Sequence, residues 1–157
     1  MQVTSFRKHQ IALELLDRAI ELYLRGDSYF SALHLGAASE ELFMVYAREI
    51  RLPSGATMRP AFDEQKEAIV AIQLPKSLDE KKGTEKRVHD LLNHAKNSVK
   101  HMRGSKDEKV SFDPCDEAFD VIDRAISTYL QLQSAFKLPP LQSISEFVTQ
   151  GQPKACG

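Results

Sequence analysis

Residues 85–104 read EKRVHDLLNHAKNSVKHMRG, and their spacing predicts a helix with two different faces. At about 100° per residue, the apolar side chains fall on one face, namely Val88, Leu91, Leu92, Ala95, Val99 and Met102. The opposite face collects Asp90, Asn93, His94, Asn97 and His101, with Lys96 and Lys100 along one edge. An amphipathic helix buries its apolar face against neighbouring elements. The stretch therefore predicts a helical bundle with this polar face turned to solvent.

The other patterned stretches are helical too. Residues 6–25, 29–50, 60–73 and 114–136 each repeat apolar residues at helical spacing, and residues 143–150 form one short further piece. Ser77 and Glu80 have the spacing of a capping box, so a helix restarts there, with a kink or gap expected at Gly83. No run alternates with period two. The prediction is an all-α, up-and-down bundle of four to five helices with a short C-terminal helical extension.

Length and composition favour one domain. A chain of 157 residues can be served by a single core, here about residues 6–137, with residues 138–157 as the extension. The formal charge of −1 creates no global field that attracts nucleic acid or membranes. Residues 76–109, however, carry ten Lys or Arg against six Asp or Glu, so this segment is locally positive.

Nothing in the sequence predicts a membrane segment or a cofactor. No apolar run reaches the roughly 18 residues of a membrane span, the N-terminus lacks an apolar signal region, and a cytoplasmic location is expected. Cys115 and Cys156 make neither a disulfide framework nor a CxxC pair, so both are expected as free thiols. No Glu-x-x-His occurs, and no phosphate-binding glycine loop. We expect no metal, although Asp90 and His94 could hold one together with His34 or Glu41.

The first two helices each carry side chains that need a contact from another element. The first helix carries a second apolar stripe of Ile11, Leu15 and Leu22, which is covered either by the C-terminal segment or by a dimer contact. In the second, very apolar helix stand His34, Glu40 and Glu41. Because an unpaired buried carboxylate costs several kcal/mol, we interpret these three as a buried polar network that fixes helix packing.

The polar face of residues 85–104 holds groups suited to phosphodiester chemistry. His101 could act as general acid/base on an RNA 2′-hydroxyl, while Lys96 and Lys100 hold the phosphate. Asn97 and Asn93 would orient the reacting groups. No metal is needed for this chemistry. The alternative is an ordinary solvated helix face.

The second helix and this motif together resemble the HEPN superfamily. The pattern at residues 27–42 is D-x-Y-F-x-A-x-H-L-x-A-A-x-E-E-L, and it is followed later by Lys96-Asn97-x-x-x-His101. The resemblance spans about residues 7–136 and implies a compact, dimeric bundle of four or five helices. Many members are RNases of toxin–antitoxin, abortive-infection and CRISPR systems, and others are non-catalytic interaction modules.

The resemblance also implies roles for single residues. The family motif places an Arg first, a polar residue next and a His further along, and here Lys96, Asn97 and His101 take these places. Lys96 keeps the charge but lacks the bidentate fork of Arg. Arg87 with His94 fits the looser spacing that the family tolerates, which adds both to the expected substrate-binding residues.

Two hypotheses follow. In the first, an HEPN-like dimer contacts RNA or another phosphate-bearing ligand through the polar face, in its stronger form as a metal-independent ribonuclease whose two-fold symmetry supplies a second His. In the second, the chain is a non-catalytic helical dimerisation or protein-interaction module whose partner surface is what matters.

Overall fold

The computed structural model describes residues 5–101 and 108–150. Across these ranges the chain forms six helices and no strand. They are α1 (Lys8–Arg25), α2 (Tyr29–Glu49), α3 (Ala61–Ile72), α4 (Leu78–Lys100), α5 (Pro114–Phe136) and α6 (Ser143–Gln150). The prediction of an all-α helical bundle is confirmed.

The first two helices form a tight antiparallel hairpin. Gly26 ends α1 with φ of 68°, a left-handed conformation that glycine adopts without a Cβ penalty. Two residues later the Ser28 hydroxyl accepts the backbone N–H of Ser31 at 3.3 Å and caps α2. The short joint leaves the two helices side by side.

Helices α1, α2 and α5 enclose the main core, and α2 lies between the other two. The largest fully buried apolar side chains come from all three: Leu16, Ile20, Leu33, Phe43, Val121, Ile122, Tyr129 and Leu132. At Gly36 of α2 a Cβ would lie 3.1 Å from Cγ1 of Ile122. The missing side chain therefore allows α2 and α5 to approach closely.

Helix α6 packs across α1 and α5. The Phe147 ring stacks on Phe119 with centroids 5.1 Å apart and lies 5.4 Å from the Tyr23 ring. Ser143 Oγ donates to Asp17 Oδ1 at 2.5 Å. On a helical wheel Asp17 and Tyr23 lie about 120° to either side of Ile11. Helix α6 thus covers the side of α1 opposite Ile11, and it leaves the stripe of Ile11, Leu15 and Leu22 open.

Helices α3 and α4 form a second hairpin that packs on α2 and α5. Ser77 caps α4 by accepting the N–H of Glu80 at 3.1 Å. The sequence does not interrupt the helix at Gly83, because α4 runs without a gap from Leu78 to Lys100. The segment after His101 that was expected to continue the helix lies outside the described residues.

Helix α4 is rotated relative to the face predicted for it. Val88 and Ala95 are buried as expected, but Leu91 is 67% exposed, whereas Lys96 is 3% and Asn93 7% exposed. Met102 of the same predicted stripe lies outside the described residues.

Helix α5 begins with a strong cap. The Asp113 carboxylate accepts the backbone N–H groups of Cys115 and Asp116 at 2.8 and 3.3 Å. Cys115 is disulfide-bonded, so the expectation of a free thiol is wrong for this residue. Cys156 lies outside the described residues.

No helix in the two described ranges combines the length and apolar character needed to cross a bilayer.

Candidate functional site

The Glu40 carboxylate lies at the centre of a buried charge cluster between α2, α4 and α5. Its side chain has no exposed surface. Arg124 Nε of α5 donates to Oε1 at 2.6 Å, and Lys96 Nζ of α4 donates to Oε2 at 3.3 Å. Each carboxylate oxygen thus has its own cation. This is how such a group is accommodated without the cost of an unpaired buried charge.

One aromatic ring lies close to both cations of the cluster. Phe62 at the start of α3 is 3% exposed. Lys96 Nζ lies 5.2 Å from its ring centroid and Arg124 Cζ lies 5.8 Å away. Both distances are in the range of cation–π attraction. Gln65, one turn further along α3, accepts from Arg124 Nη1 at 3.3 Å, so α3 also contributes a hydrogen-bond partner to the cluster.

The cluster reaches the surface through Glu41. This carboxylate is half exposed and lies 3.2 Å from Lys100 Nζ and 3.9 Å from Lys96 Nζ. Lys100 is itself largely covered, with 19% of its side chain exposed. The two lysines predicted to hold a phosphate are therefore both bound to carboxylates of α2.

The predicted catalytic trio does not lie together on one open face. Lys96 points into the bundle, so the prediction that it faces solvent is wrong. Its four methylene groups pack inside while Glu40 and Phe62 receive the ammonium. Asn97 and His101 are exposed. His101 follows the last residue of α4, and its backbone N–H donates to Asn97 O at 3.0 Å.

The predicted substrate-binding residues are dispersed as well. Asn93 is buried and its amide donates to the backbone oxygen of His89 at 2.7 Å, which corrects its placement on the polar face. His94 is exposed. Arg87 is exposed one helical turn after Thr84, whose hydroxyl accepts from its guanidinium at 2.9 Å.

Of the three residues expected to form a buried polar network, His34, Glu40 and Glu41, only Glu40 and Glu41 belong to the charge cluster. His34 is exposed on the far end of α2 and lines a shallow groove of about 440 Å³ with Leu22, Phe30 and Val99. It makes no part of the charge cluster. The cluster also contains three residues that the sequence analysis did not identify, namely Arg124, Phe62 and Gln65.

A weak acidic patch flanks α4 on the side of α5. Burial raises the pKa of Glu117, and the neighbouring Asp120 carboxylate raises it further, against the opposing charges of Arg124 and His94. Burial also raises the pKa of Asp120. His94 therefore lies near the Glu117 carboxylate.

No group of three or more His, Cys, Asp or Glu side chains in the described parts of the chain is arranged to hold a metal ion. Asp90 and His94 do not meet His34 or Glu41 in such a group.

The missed residues carried a signal in the sequence. Arg124 stands among Val121, Ile122, Ala125 and Thr128 on the apolar face of its helix, a position where a lone cation requires an anion. Glu40, in the most apolar helix, required a cation. A lone cation on one apolar helix face and a lone carboxylate on another together predict an ion pair between Arg124 and Glu40.

Comparison of the chain with protein family models, curated proteins and solved structures found no significant match.

Proposed function

We propose that the chain is a non-catalytic helical module that forms a homodimer through the outer face of the α1–α2 hairpin. We define this outer face by side chains that all keep partial or full exposure: Ile11, Leu15, Arg18, Leu22, Leu35, Ala38, Leu42 and Val45. Seven of the eight are apolar. This largely apolar strip of partly or fully exposed side chains is the observation that carries the proposal, and at Leu22 and Leu35 it borders Val99 of α4.

The strip is large enough for a dimer contact. Helices of 18 and 21 residues are about 27 and 32 Å long at 1.5 Å per residue. Two helices side by side, about 10 Å apart, offer a face of about 600 Å² per protomer. Two such faces bury about 1,200 Å², the lower end of the range for specific interfaces.

A second copy fits the pattern of side chains along α1. Ile11 and Leu22 lie about 16 Å apart along the helix axis. A two-fold axis midway between them brings Ile11 of one protomer against Leu22 of its partner, and the reverse. Arg18 lies about 2 Å from that midpoint along the axis, and it is paired with Glu21 at 2.6 Å. Their charges balance, so the face does not repel its own copy.

The charge cluster supports the non-catalytic part of the proposal. A ribonuclease of the predicted kind needs a cation that is free to hold the scissile phosphate. Lys96 is bound to Glu40 inside the bundle, and Lys100 is bound to Glu41. The resemblance to the HEPN superfamily stays a prediction. Its non-catalytic, dimeric members are the ones that the geometry favours.

The test is the mass of the protein in solution. Light scattering at micromolar concentration should give twice the chain mass for the wild type, and Ile11→Glu or Val45→Glu should shift the protein toward monomer because a carboxylate would be buried unpaired at the contact. Leu91→Glu is the matched control, since Leu91 is an exposed apolar residue of α4 away from the outer face. A wild-type monomer, or equal dissociation by the control, would overturn the proposal.

A further inference from the structure

A cavity of about 1100 Å³ lies between α3, the loop 50–60 and the first half of α4, and it shares no lining residue with the outer face or the charge cluster. Its apolar lining comes from Met58, Val70, Ala71 and Pro75. Its polar lining is mostly cationic, with Arg48, Arg51, Arg59, Lys66 and Lys81 against Asp63, Glu67 and Glu85. In a chain of formal charge −1 this is a local excess of positive charge.

The cationic groups fall into two classes. Arg48 is held by Asp63 through two hydrogen bonds of 2.9 and 2.8 Å, and Arg59 is held by Glu67. By contrast, no carboxylate within the described ranges lies within ion-pair distance of Arg51, Lys66 or Lys81. Three cations from three different segments therefore line one cavity without an ion pair among the described residues, and Glu85 is the lining carboxylate that is likewise unpaired there.

The loop that supplies two of the arginines is well defined. Arg51 and Thr57 form an isolated antiparallel bridge. Leu52 N–H donates to Ala56 O at 2.8 Å, and Met58 N–H donates to Ile50 O at 2.9 Å. These bonds close a small turn whose two arms carry Arg51 and Arg59 toward the cavity. The backbone hydrogen bonds thus hold the main chain at Arg51 and Arg59 in place without a ligand, and such preorganisation lowers the free-energy cost of binding.

We propose that this cavity binds a small aliphatic phosphate ester. The phosphate lies between Arg51, Lys66 and Lys81, because Arg and Lys are the side chains that bind phosphate oxygens through charge-assisted hydrogen bonds. The aliphatic part lies on Met58 and Val70. No aromatic side chain is among the described lining residues, so the cavity offers no ring for stacking a nucleobase.

The cavity of about 1100 Å³ lies just above the usual size of a small-molecule site, so it has room for that ligand class. Sites for small molecules range from about 300 to 1,000 Å³ and combine an apolar lining with a few fixed polar groups. Inorganic phosphate alone would leave the apolar lining in contact with water. An ester with a short alkyl group fills more of the space and removes that lining from water.

The test is titration calorimetry at low ionic strength with three probes: inorganic phosphate, butyl phosphate and hexanoate. We expect butyl phosphate to bind more tightly than inorganic phosphate, because only the ester covers the apolar lining, and more tightly than hexanoate, because only phosphate engages all three cations. Binding should weaken with added salt.

Substitutions of lining residues test whether butyl phosphate binds in this cavity. Lys81→Gln and Arg51→Gln should each weaken butyl phosphate binding about tenfold, the effect of losing one charge-assisted hydrogen bond. Lys82→Gln is the matched control, because Lys82 neighbours Lys81 on α4 but does not line the cavity. No heat with butyl phosphate, or equal weakening by Lys82→Gln, would overturn the proposal. The oligomeric state does not enter either readout, so this result is independent of the proposed dimer.

Discussion

Glu40 shows how one residue can determine the neighbours of three helices. Its carboxylate accepts from Arg124 at one oxygen and from Lys96 at the other, with no exposed surface of its own. A buried ion pair of this kind adds little net stability relative to an apolar replacement of the whole group. Removing one partner instead lowers the stability of the fold, because the remaining charges stay buried without a counter-ion.

We predict that Glu40→Ala lowers the free energy of unfolding by about 3 to 5 kcal/mol, since Arg124 and Lys96 would remain buried and unpaired. Glu41→Ala is the matched control. The adjacent carboxylate is half exposed, and its loss should cost at most about 1 kcal/mol. Urea unfolding followed by circular dichroism measures both, and equal costs would contradict the role assigned to Glu40.

At the residue scale the sequence predicts that a buried charge needs a counter-charge, but it does not predict which residue supplies it. It indicates that a carboxylate in the most apolar helix needs a partner, because that follows from the cost of burial alone. It does not identify the partner, since Lys96 on a polar stripe looks like any solvated lysine. Only the packing of α4 against Phe62 shows that its ammonium is directed inward.

Among the elements, α2 and α5 approach each other closely at Gly36. A Cβ there would meet Cγ1 of Ile122 at 3.1 Å and Cγ1 of Val121 at 3.4 Å. Interiors packed to this density respond to a single added methyl group. The glycine of α4, Gly83, has open space around it, with its nearest neighbour the end of the flexible Arg87 side chain at 3.7 Å.

The two glycines should therefore respond differently to alanine. Gly83→Ala should raise the free energy of unfolding by about 0.5 to 1 kcal/mol through helix propensity alone. Gly36→Ala has the same propensity gain, but the contact with Ile122 offsets it, so stability should stay level or fall. Thermal unfolding of the pair gives the comparison. A gain at Gly36 equal to that at Gly83 would show that α2 and α5 are less tightly packed.

Helix bounds follow from local chemistry, and for that reason the sequence predicts them well. Gly26, Ser77 and Asp113 end or begin helices through bonds within a few residues of themselves. The rotation of α4 about its own axis is not local. It depends on Glu40 and Arg124, which lie far away in the chain, and so its buried face was predicted only in part.

The whole molecule consists of a three-helix core with a different attachment on each side. Helix α6 covers α1 and α5, the α3–α4 hairpin covers α2 and α5, and the side chains on the outer face of α1 and α2 keep partial or full exposure among the described residues. The order of helices and their all-α nature follow from periodicity. Which sides stay open depends on where the short elements dock, and periodicity contains no information about that.

RNA contact through the exposed His94, Asn97 and His101 stays a prediction. Because both nearby lysines are bound to carboxylates, we expect the purified protein to leave single-stranded RNA uncut without metal, and His101→Ala to match the wild type. A gel assay with labelled RNA at low salt measures this. Cleavage that His101→Ala abolishes, while Lys8→Ala on α1 does not, would reinstate the ribonuclease hypothesis.

The charge cluster also sets which changes of chain length the protein tolerates. Glu40, Lys96 and Arg124 come from three helices, and the connections between those helices contain none of the three. A residue added to a connection leaves the cluster in register. A residue inserted inside α4 ahead of Lys96 would turn that side chain by about 100° around the helix axis, and Glu40 would lose one of its two cations.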